Sequence, residues 1–161
     1  MKYIAAFLVL FIATFSFAQK PVELQLWPNR APNDNGLDAQ QPTITVYRPS
    51  HPNGTTVIMC PGGAYVNLAM AHEGHDMAAW FNAQGITYAV LKYRMPNGNS
   101  QVPLSDVEEA IRIVRRHAKE WNIRPERVGI MGASAGGHLA STLATHYSSE
   151  ETRPDFQILL Y

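Results

Sequence analysis

Apolar positions along the chain follow two alternating patterns, one typical of strands and one typical of helices. Short β-branched or continuous apolar runs predict strands, and the continuous ones predict strands covered on both faces of a sheet. Apolar residues spaced three and four apart predict amphipathic helices. The predicted strands are residues 22–27, 43–47, 55–60, 87–93 and 127–132, with a last strand from Phe156, and the predicted helices are residues 74–85, 103–122 and 133–146.

The segment from Pro103 to Asn122 gives the strongest helix signal. Its apolar residues repeat at helical spacing, and Ser105 and Glu108 have the spacing of a capping box at the amino end of the helix. We expect four basic side chains on its solvent-facing side, namely Arg112, Arg115, Arg116 and Lys119.

The predicted strands and helices alternate along a single domain without internal repeats. This order builds right-handed parallel crossovers, so it predicts an α/β fold with a mostly parallel sheet flanked by helices. In such sheets, ligands bind beyond the carboxyl ends of the strands. Two glycine-rich loops fall at that edge, PGGAY at residues 61–65 and GASAGG at residues 132–137.

Composition narrows the partners and cofactors that the chain can use. The 161 residues include 13 basic and 13 acidic ones, so we expect no basic surface for a phosphate backbone and no nucleic-acid binding. The single cysteine, Cys60, excludes an internal disulfide and is expected in the core. HEGH at residues 72–75 lacks the spacing of HExxH, so we expect no metal and no cofactor.

The first 18 residues have the layout of a secretory signal peptide. Lys2 precedes an apolar run that ends in Ser-Phe-Ala at residues 16–18. Cleavage between Ala18 and Gln19 would leave a domain of residues 19–161 in the periplasm or the medium, without stable membrane insertion. An uncleaved membrane anchor and a buried helix are the alternatives for this run.

GASAG at residues 132–136 places Ser134 between a buried-type strand and a helix-forming segment. A serine at such a junction lies on a tight turn that exposes its hydroxyl, and small flanking residues let strand and helix approach closely. The helix that follows directs its free N–H groups to the same point, where they favour negative charge. Taken alone, the pattern is also compatible with an ordinary glycine-rich turn.

The loop PGGAY at residues 61–65 can supply the N–H donors that a serine nucleophile requires. Acyl transfer through a serine needs N–H donors directed at the oxygen of the tetrahedral intermediate, and a glycine-rich backbone can approach that oxygen without side-chain obstruction. The two loops occur in the order and context that this chemistry requires. Together they predict a serine hydrolase.

The same residues resemble a known family. PGGAY is similar to the HGGG-type oxyanion loop of the esterase and lipase branch of the α/β-hydrolases, and GASAGGHLAS is similar to its nucleophile elbow. ELQLWPNRAP and YAVLKYR resemble secreted bacterial carbohydrate esterases, including acetylxylan esterases. The resemblance implies an α/β-hydrolase fold and hydrolysis of short acyl esters of small molecules or carbohydrates, such as acetylated xylan or sugars.

The resemblance also implies roles for the matching residues. Ser134 would be the nucleophile, and the backbone N–H groups of Gly63, Ala64 and Ala135 would form the oxyanion hole. Pro61 and Ala64 replace the histidine and the last glycine of HGGG, and alanine keeps its N–H donor. Gly62, Gly132, Gly136 and Gly137 would have geometric roles. Apart from the resemblance, Tyr65 either lines the pocket or packs beneath the loop. Four titratable residues follow the loop along the chain and are expected to border the pocket, namely His72, Glu73, His75 and Asp76.

A serine hydroxyl needs a base, and the base needs an orienting carboxylate; in this superfamily both follow the serine along the chain. Neither occurs in a recognisable context up to residue 161. We therefore expect the sheet to stop before its last strands and this chain alone to be inactive. His138 is expected to pack along helix and sheet, and surface or turn positions are expected for His117, His146 and Asp155.

Two other functions remain open at this point. One is a serine peptidase of the prolyl oligopeptidase kind, which shares GxSxGG and the order of the triad. The other is a non-catalytic remnant or binding module that keeps the scaffold and lacks the triad acid and histidine. The sequence predicts no particular oligomeric state.

Overall fold

The computed structural model describes residues 19–37 and 41–161, and the predicted signal peptide lies outside these ranges. The described part forms one six-stranded sheet with three α-helices. A 3-10 turn at His75–Met77 precedes the first helix. The strands are β1 (Val22–Gln25), β2 (Thr43–Tyr47), β3 (Thr56–Cys60), β4 (Thr87–Lys92), β5 (Val128–Gly132) and β6 (Gln157–Leu159), and the helices are α1 (Ala78–Ala83), α2 (Gln101–Arg116) and α3 (Ala135–His146).

The strands are arranged in the order β1-β2-β4-β3-β5-β6. β3 pairs in parallel with β4 and β5, and β5 pairs in parallel with β6, whereas β2 pairs antiparallel with both β1 and β4. The helices supply the crossovers that parallel neighbours require. This arrangement confirms the predicted α/β fold with a mostly parallel sheet. It also places the carboxyl ends of β3 and β5 side by side, with Cys60 opposite Gly132.

The sheet has an apolar core on each face. Helices α2 and α3 cover the face that carries Ile58 and Ile130, and α1 covers the face that carries Val57 and Met59. Because both faces are covered, every residue of β3 and of β5 is buried, which explains their continuous apolar sequences. Cys60 is fully buried, as expected, and this burial raises the pKa of its thiol.

Helix α2 differs from its prediction at both ends. It begins at Gln101 and ends at Arg116, and the chain continues in turns to Asn122. The predicted capping box is wrong, because the Ser105 hydroxyl lies inside the helix and donates to the carbonyl oxygen three residues earlier at 2.8 Å. Glu108 is a buried residue on the second turn, and its carboxylate accepts hydrogen bonds from the loop after α3 instead of from the start of α2.

Polar side chains of α2 anchor the segment between α3 and β6. The Glu108 carboxylate accepts hydrogen bonds from the hydroxyl groups of Ser148 and Thr152, at 2.9 and 3.2 Å. Arg115 was expected on the solvent-facing side, but only 16% of its side chain is exposed, and its guanidinium binds the Asp155 carboxylate at 3.1 Å. It also donates to carbonyl oxygens of the same segment. These contacts position the chain that leads into β6.

A buried ion pair joins the end of β4 to α2. Arg94 donates to both carboxylate oxygens of Asp106 from its backbone N–H and its guanidinium, at 2.7 to 3.1 Å. The indole of Trp27 donates to the same carboxylate at 2.8 Å. Arg94 also binds the carbonyl oxygens of Pro32 and Asn33. The pair therefore ties the loop after β1 to both β4 and α2.

Candidate active site

Ser134 lies on the sharp turn between β5 and α3. Its backbone has φ 53° and ψ −122°, a conformation that strains any residue carrying a Cβ, at a cost of about 1–3 kcal/mol. The residue is exposed, whereas its neighbours Ala133 and Ala135 are buried. Glycines close the turn: a Cβ on Gly136 would collide with the Cys60 carbonyl oxygen, and one on Gly132 would collide with the Gly136 backbone.

The loop after β3 lies directly against this turn. A Cβ on Gly62 would lie 3.0 Å from the Ser134 Cβ and 2.7 Å from the Ala133 carbonyl oxygen, so only glycine fits there without displacement. The next residues bend sharply, since Gly63, Ala64 and Tyr65 have φ values of 134°, 56° and 57°. Two non-glycine residues in the left-handed region make this the second strained segment beside Ser134.

Three backbone N–H groups around Ser134 donate no hydrogen bond to any residue in the described part of the chain. They belong to Gly63, Ala64 and Ala135, the three residues that the family resemblance implies as the oxyanion hole. Ala135 is the first residue of α3, where an N–H has no carbonyl acceptor within the helix. Such a set of free donors beside one exposed hydroxyl is suited to stabilise negative charge on a bound ligand.

Glu73 connects the loop after β3 to the end of β6. Its carboxylate accepts hydrogen bonds from the Gly62 N–H at 2.7 Å and from the Tyr161 hydroxyl at 2.6 Å. The hydrogen bond from Tyr161, followed by that from Gly62, lowers the pKa of Glu73 despite partial desolvation. The backbone carbonyl of Tyr161 accepts a hydrogen bond from the Ser134 N–H at 2.9 Å.

Tyr65 and His138 face each other across the edge of the site. The Tyr65 hydroxyl lies 2.8 Å from His138 Nδ1, and their rings meet edge to face. The prediction that His138 packs along helix and sheet is wrong: the residue is exposed, because one helical turn after Ser134 directs it towards the loop that carries Tyr65. Burial raises the pKa of Tyr65 to about 12, which further favours the protonated hydroxyl.

Two cavities border the loop that carries Tyr65. The smaller, about 90 Å³, is lined by Tyr65, His138 and Leu139 together with two prolines. The larger, about 510 Å³, lies between Val66–Met70 and the end of β4. His72 lines neither of these cavities; 76% of its side chain is exposed, and its Nε2 lies 3.8 Å from the Glu73 carboxylate.

The remaining titratable residues considered from the sequence lie elsewhere. His75 is hydrogen-bonded to the Tyr47 hydroxyl, His117 stacks on Trp121, and His146 contacts the neighbouring Thr145. Asp155 accepts a hydrogen bond from the Val128 N–H at the amino end of β5, the opposite end from Ser134. Within residues 19–37 and 41–161, the Ser134 hydroxyl has no hydrogen-bonded histidine, so these residues alone provide no serine–histidine pair.

Residues 19–37 and 41–161 contain neither a metal-binding cluster nor a membrane-spanning helix. Among those that the structure describes, no three His, Cys, Asp or Glu side chains are grouped closely enough to hold a metal ion. None of the described helices combines the length and the apolar character that a membrane-spanning helix requires.

Sequence relatives of the chain include esterases. The BD-FAE family model matches residues 44–158. An acetylxylan esterase from Xylanibacter ruminicola is 47% identical over 127 residues, which cover 79% of this chain and 26% of that protein. An endo-1,4-beta-xylanase B from Butyrivibrio fibrisolvens is 34% identical over 119 residues, which cover 65% of this chain and 19% of that protein. The chain thus spans about a quarter or less of the length of these two relatives.

Solved structures show the same relationship. An acetyl ester-xyloside bifunctional hydrolase from Caldicellulosiruptor lactoaceticus superposes with a TM-score of 0.74 at 34% identity, covering 86% of this chain and 56% of that chain. An α/β hydrolase from a Medee basin deep-sea metagenome library superposes with a TM-score of 0.72 at 25% identity, covering 88% of this chain and 56% of that chain. With its family model, its relatives and its fold in agreement, the chain belongs to the BD-FAE family of α/β-hydrolase esterases.

Proposed function

We propose that the complete protein is a secreted serine esterase that removes short acyl groups, such as acetyl, from xylan or sugars. The observation that carries this proposal is the strained, exposed Ser134 beside three free backbone N–H groups. The substrate class rests on relatives named for acetylxylan and for acetyl ester-xyloside hydrolysis. Export rests on the signal-like residues 1–18.

The proposed reaction follows from the positions of these groups. The Ser134 oxygen attacks the ester carbonyl carbon while a base takes the hydroxyl proton. The carbonyl oxygen becomes negatively charged and accepts hydrogen bonds from the N–H groups of Gly63, Ala64 and Ala135. The alcohol then leaves with a proton, and water releases the acyl group from the serine by the same route.

We further propose that the histidine and the acid that complete the triad belong to the part of the complete protein that follows residue 161. The relatives are longer than this chain, and in this superfamily both groups follow the serine along the chain. The 161-residue chain alone is then expected to hydrolyse esters negligibly, because no histidine within residues 19–37 and 41–161 is hydrogen-bonded to the Ser134 hydroxyl.

The test is Ser134→Ala in the complete protein. Hydrolysis of p-nitrophenyl acetate and release of acetate from acetylated xylan should both fall by about 10⁴-fold or more, since loss of the nucleophile removes the covalent route. Ser141→Ala is the matched control, because Ser141 lies on the same helix and its hydroxyl donates to a helix carbonyl. Undiminished hydrolysis by Ser134→Ala would contradict the proposed role.

The same preparations separate the other candidate functions. An aminoacyl or dipeptidyl amide turned over faster than the acetate ester would indicate a peptidase of the prolyl oligopeptidase kind. Absence of turnover on every ester and amide tested, with the complete protein folded, would indicate a non-catalytic binding module. A fluorophosphonate probe that labels the native protein but not Ser134→Ala would support the nucleophile independently of the substrate.

A further inference from the structure

Glu73 belongs to a circuit of four residues in contact, in which Glu73, Gly62, Ser134 and Tyr161 each touch the next and Tyr161 returns to Glu73. Its carboxylate binds the Gly62 N–H and the Tyr161 hydroxyl, and the Tyr161 carbonyl binds the Ser134 N–H. Gly62 in turn packs against Ser134, so closely that an added Cβ would touch the serine side chain. The circuit joins three separate segments: the loop after β3, the turn after β5 and the end of β6. In the described sheet, β3 and β6 are not neighbouring strands, so the loop after β3 and the end of β6 are joined by the Glu73 contacts and not by strand pairing.

The segment of residues 69–73 holds Gly62 from both sides. The Ala69 N–H donates to the Gly62 carbonyl at 2.9 Å, while Glu73 accepts from the Gly62 N–H at 2.7 Å. Each contact fixes one of the two peptide planes that meet at Gly62. In a trans peptide the carbonyl and the next N–H point in opposite directions, so fixing the Gly62 carbonyl also sets the direction of the Gly63 N–H. That N–H is one of the proposed oxyanion donors.

The carboxylate itself is not placed to act as the base. Each of its oxygens already accepts a hydrogen bond, one from Gly62 and one from Tyr161. The same hydrogen bonds lower the pKa of Glu73, which makes the carboxylate a weaker proton acceptor. Its contacts go to the groups that surround Ser134 and do not include the Ser134 hydroxyl.

We propose that Glu73, together with Tyr161, is a positioning residue that sets the oxyanion loop relative to Ser134. This proposal rests on the proposed esterase function. The bridge between Glu73 and Tyr161 makes no hydrogen bond with the Ser134 hydroxyl. Its loss is therefore expected to misplace the donors, which act on the transition state, more than to weaken binding of the ground-state ester.

The experiment compares Glu73→Ala, Glu73→Gln and Tyr161→Phe in the complete protein, with p-nitrophenyl acetate as the substrate. Glu73→Ala should lower kcat by about 10²-fold, as expected when an oxyanion donor is misplaced, with KM changed less than about threefold. Glu73→Gln keeps an acceptor for the Gly62 N–H and should recover part of that loss. Glu126→Gln is the matched control, because Glu126 is an exposed acid in the turn before β5, at the opposite end of that strand from Ser134.

A second measurement separates positioning from simple loss of structure. The rate of fluorophosphonate labelling at Ser134 should fall in parallel with kcat, while circular dichroism spectra stay those of the native protein. Tyr161→Phe removes one hydroxyl from an exposed residue, so it tests the bridge even when Glu73→Ala does not fold. We expect Tyr161→Phe to lower kcat severalfold, and to have little further effect when combined with Glu73→Gln.

The outcomes of the two proposals differ. Native kcat in Tyr161→Phe, or in a folded Glu73→Ala, overturns the positioning role while leaving the esterase proposal intact if Ser134→Ala is inactive. A change in KM with kcat unaltered also overturns it, since the bridge would then act on binding. Full activity of Ser134→Ala would overturn the esterase mechanism itself, whatever the Glu73 variants do.

Discussion

The buried pair of Arg94 and Asp106 allows a quantitative prediction. The two side chains are 7% and 0% exposed, so neither charge is stabilised by bulk water. Asp106→Ala removes the acceptor for the Arg94 guanidinium and for the Trp27 indole, and leaves the cation with backbone carbonyls as its main partners. Removing one partner of a buried pair costs about 3–5 kcal/mol, and we expect a loss in that range.

The assay is urea unfolding of the complete protein, followed by circular dichroism, with the free energy of unfolding extrapolated to water. Glu150→Ala is the matched control, because its pair with Arg153 is exposed, with 75% and 53% of the two side chains accessible. The control should change the free energy by less than about 0.5 kcal/mol.

A double variant tests the physical reason for this cost. Arg94→Met with Asp106→Leu removes both charges, so it should be more stable than Asp106→Ala alone by at least about 1 kcal/mol. Two results would refute the reasoning. One is a loss below about 1 kcal/mol for Asp106→Ala, and the other is a double variant no more stable than the single one.

Two further predictions concern the loop after β3 and the strand that precedes it. Gly62→Ala should lower kcat for p-nitrophenyl acetate by about 10²-fold, because the new Cβ would lie 2.6 Å from the Glu73 carboxylate and 2.7 Å from the Ala133 carbonyl oxygen. Gly98→Ala is its activity control, because at φ 84° the new Cβ strains the backbone but meets nothing within 4 Å; equal activity of the two variants would contradict the prediction. Cys60 should not react with 5,5′-dithiobis(2-nitrobenzoic acid) until the protein is unfolded, because burial both shields the thiol and raises its pKa. Rapid modification of the native protein would argue against this packing.

The sequence predicted those features that depend on short stretches of chain. β3 and β5 were evident because strands covered on both faces need apolar residues at every position, and all ten of their residues are buried. The loops after these strands were evident because each is rich in glycine. The alternating order of elements then brought the loops together, since neighbouring parallel strands end at the same edge of the sheet.

The features that the sequence did not predict depend on contacts between distant residues. The pairs Glu73–Tyr161 and Tyr65–His138 each join residues from separate elements, and no local pattern indicates which acid or histidine the fold brings to the site. Glu108 has the spacing of a capping residue, but its carboxylate accepts hydrogen bonds from a loop that is distant along the chain. A charge buried in an ion pair, such as Arg94, has the same sequence pattern as one on the surface.

The register of β3 against β5 sets the relative positions of the two loops that form the candidate site. Each residue of a strand advances the chain by about 3.3 Å, so a slip of a single residue would move the loop after β3 by more than a hydrogen-bond length. It would also turn every side chain of the strand to the other face of the sheet, into the wrong core. The packing of these two strands, Thr56–Cys60 and Val128–Gly132, thereby fixes distances between polar groups that lie beyond the strand ends. We therefore expect a substitution that shifts this register to change the distance between the two loops of the candidate site.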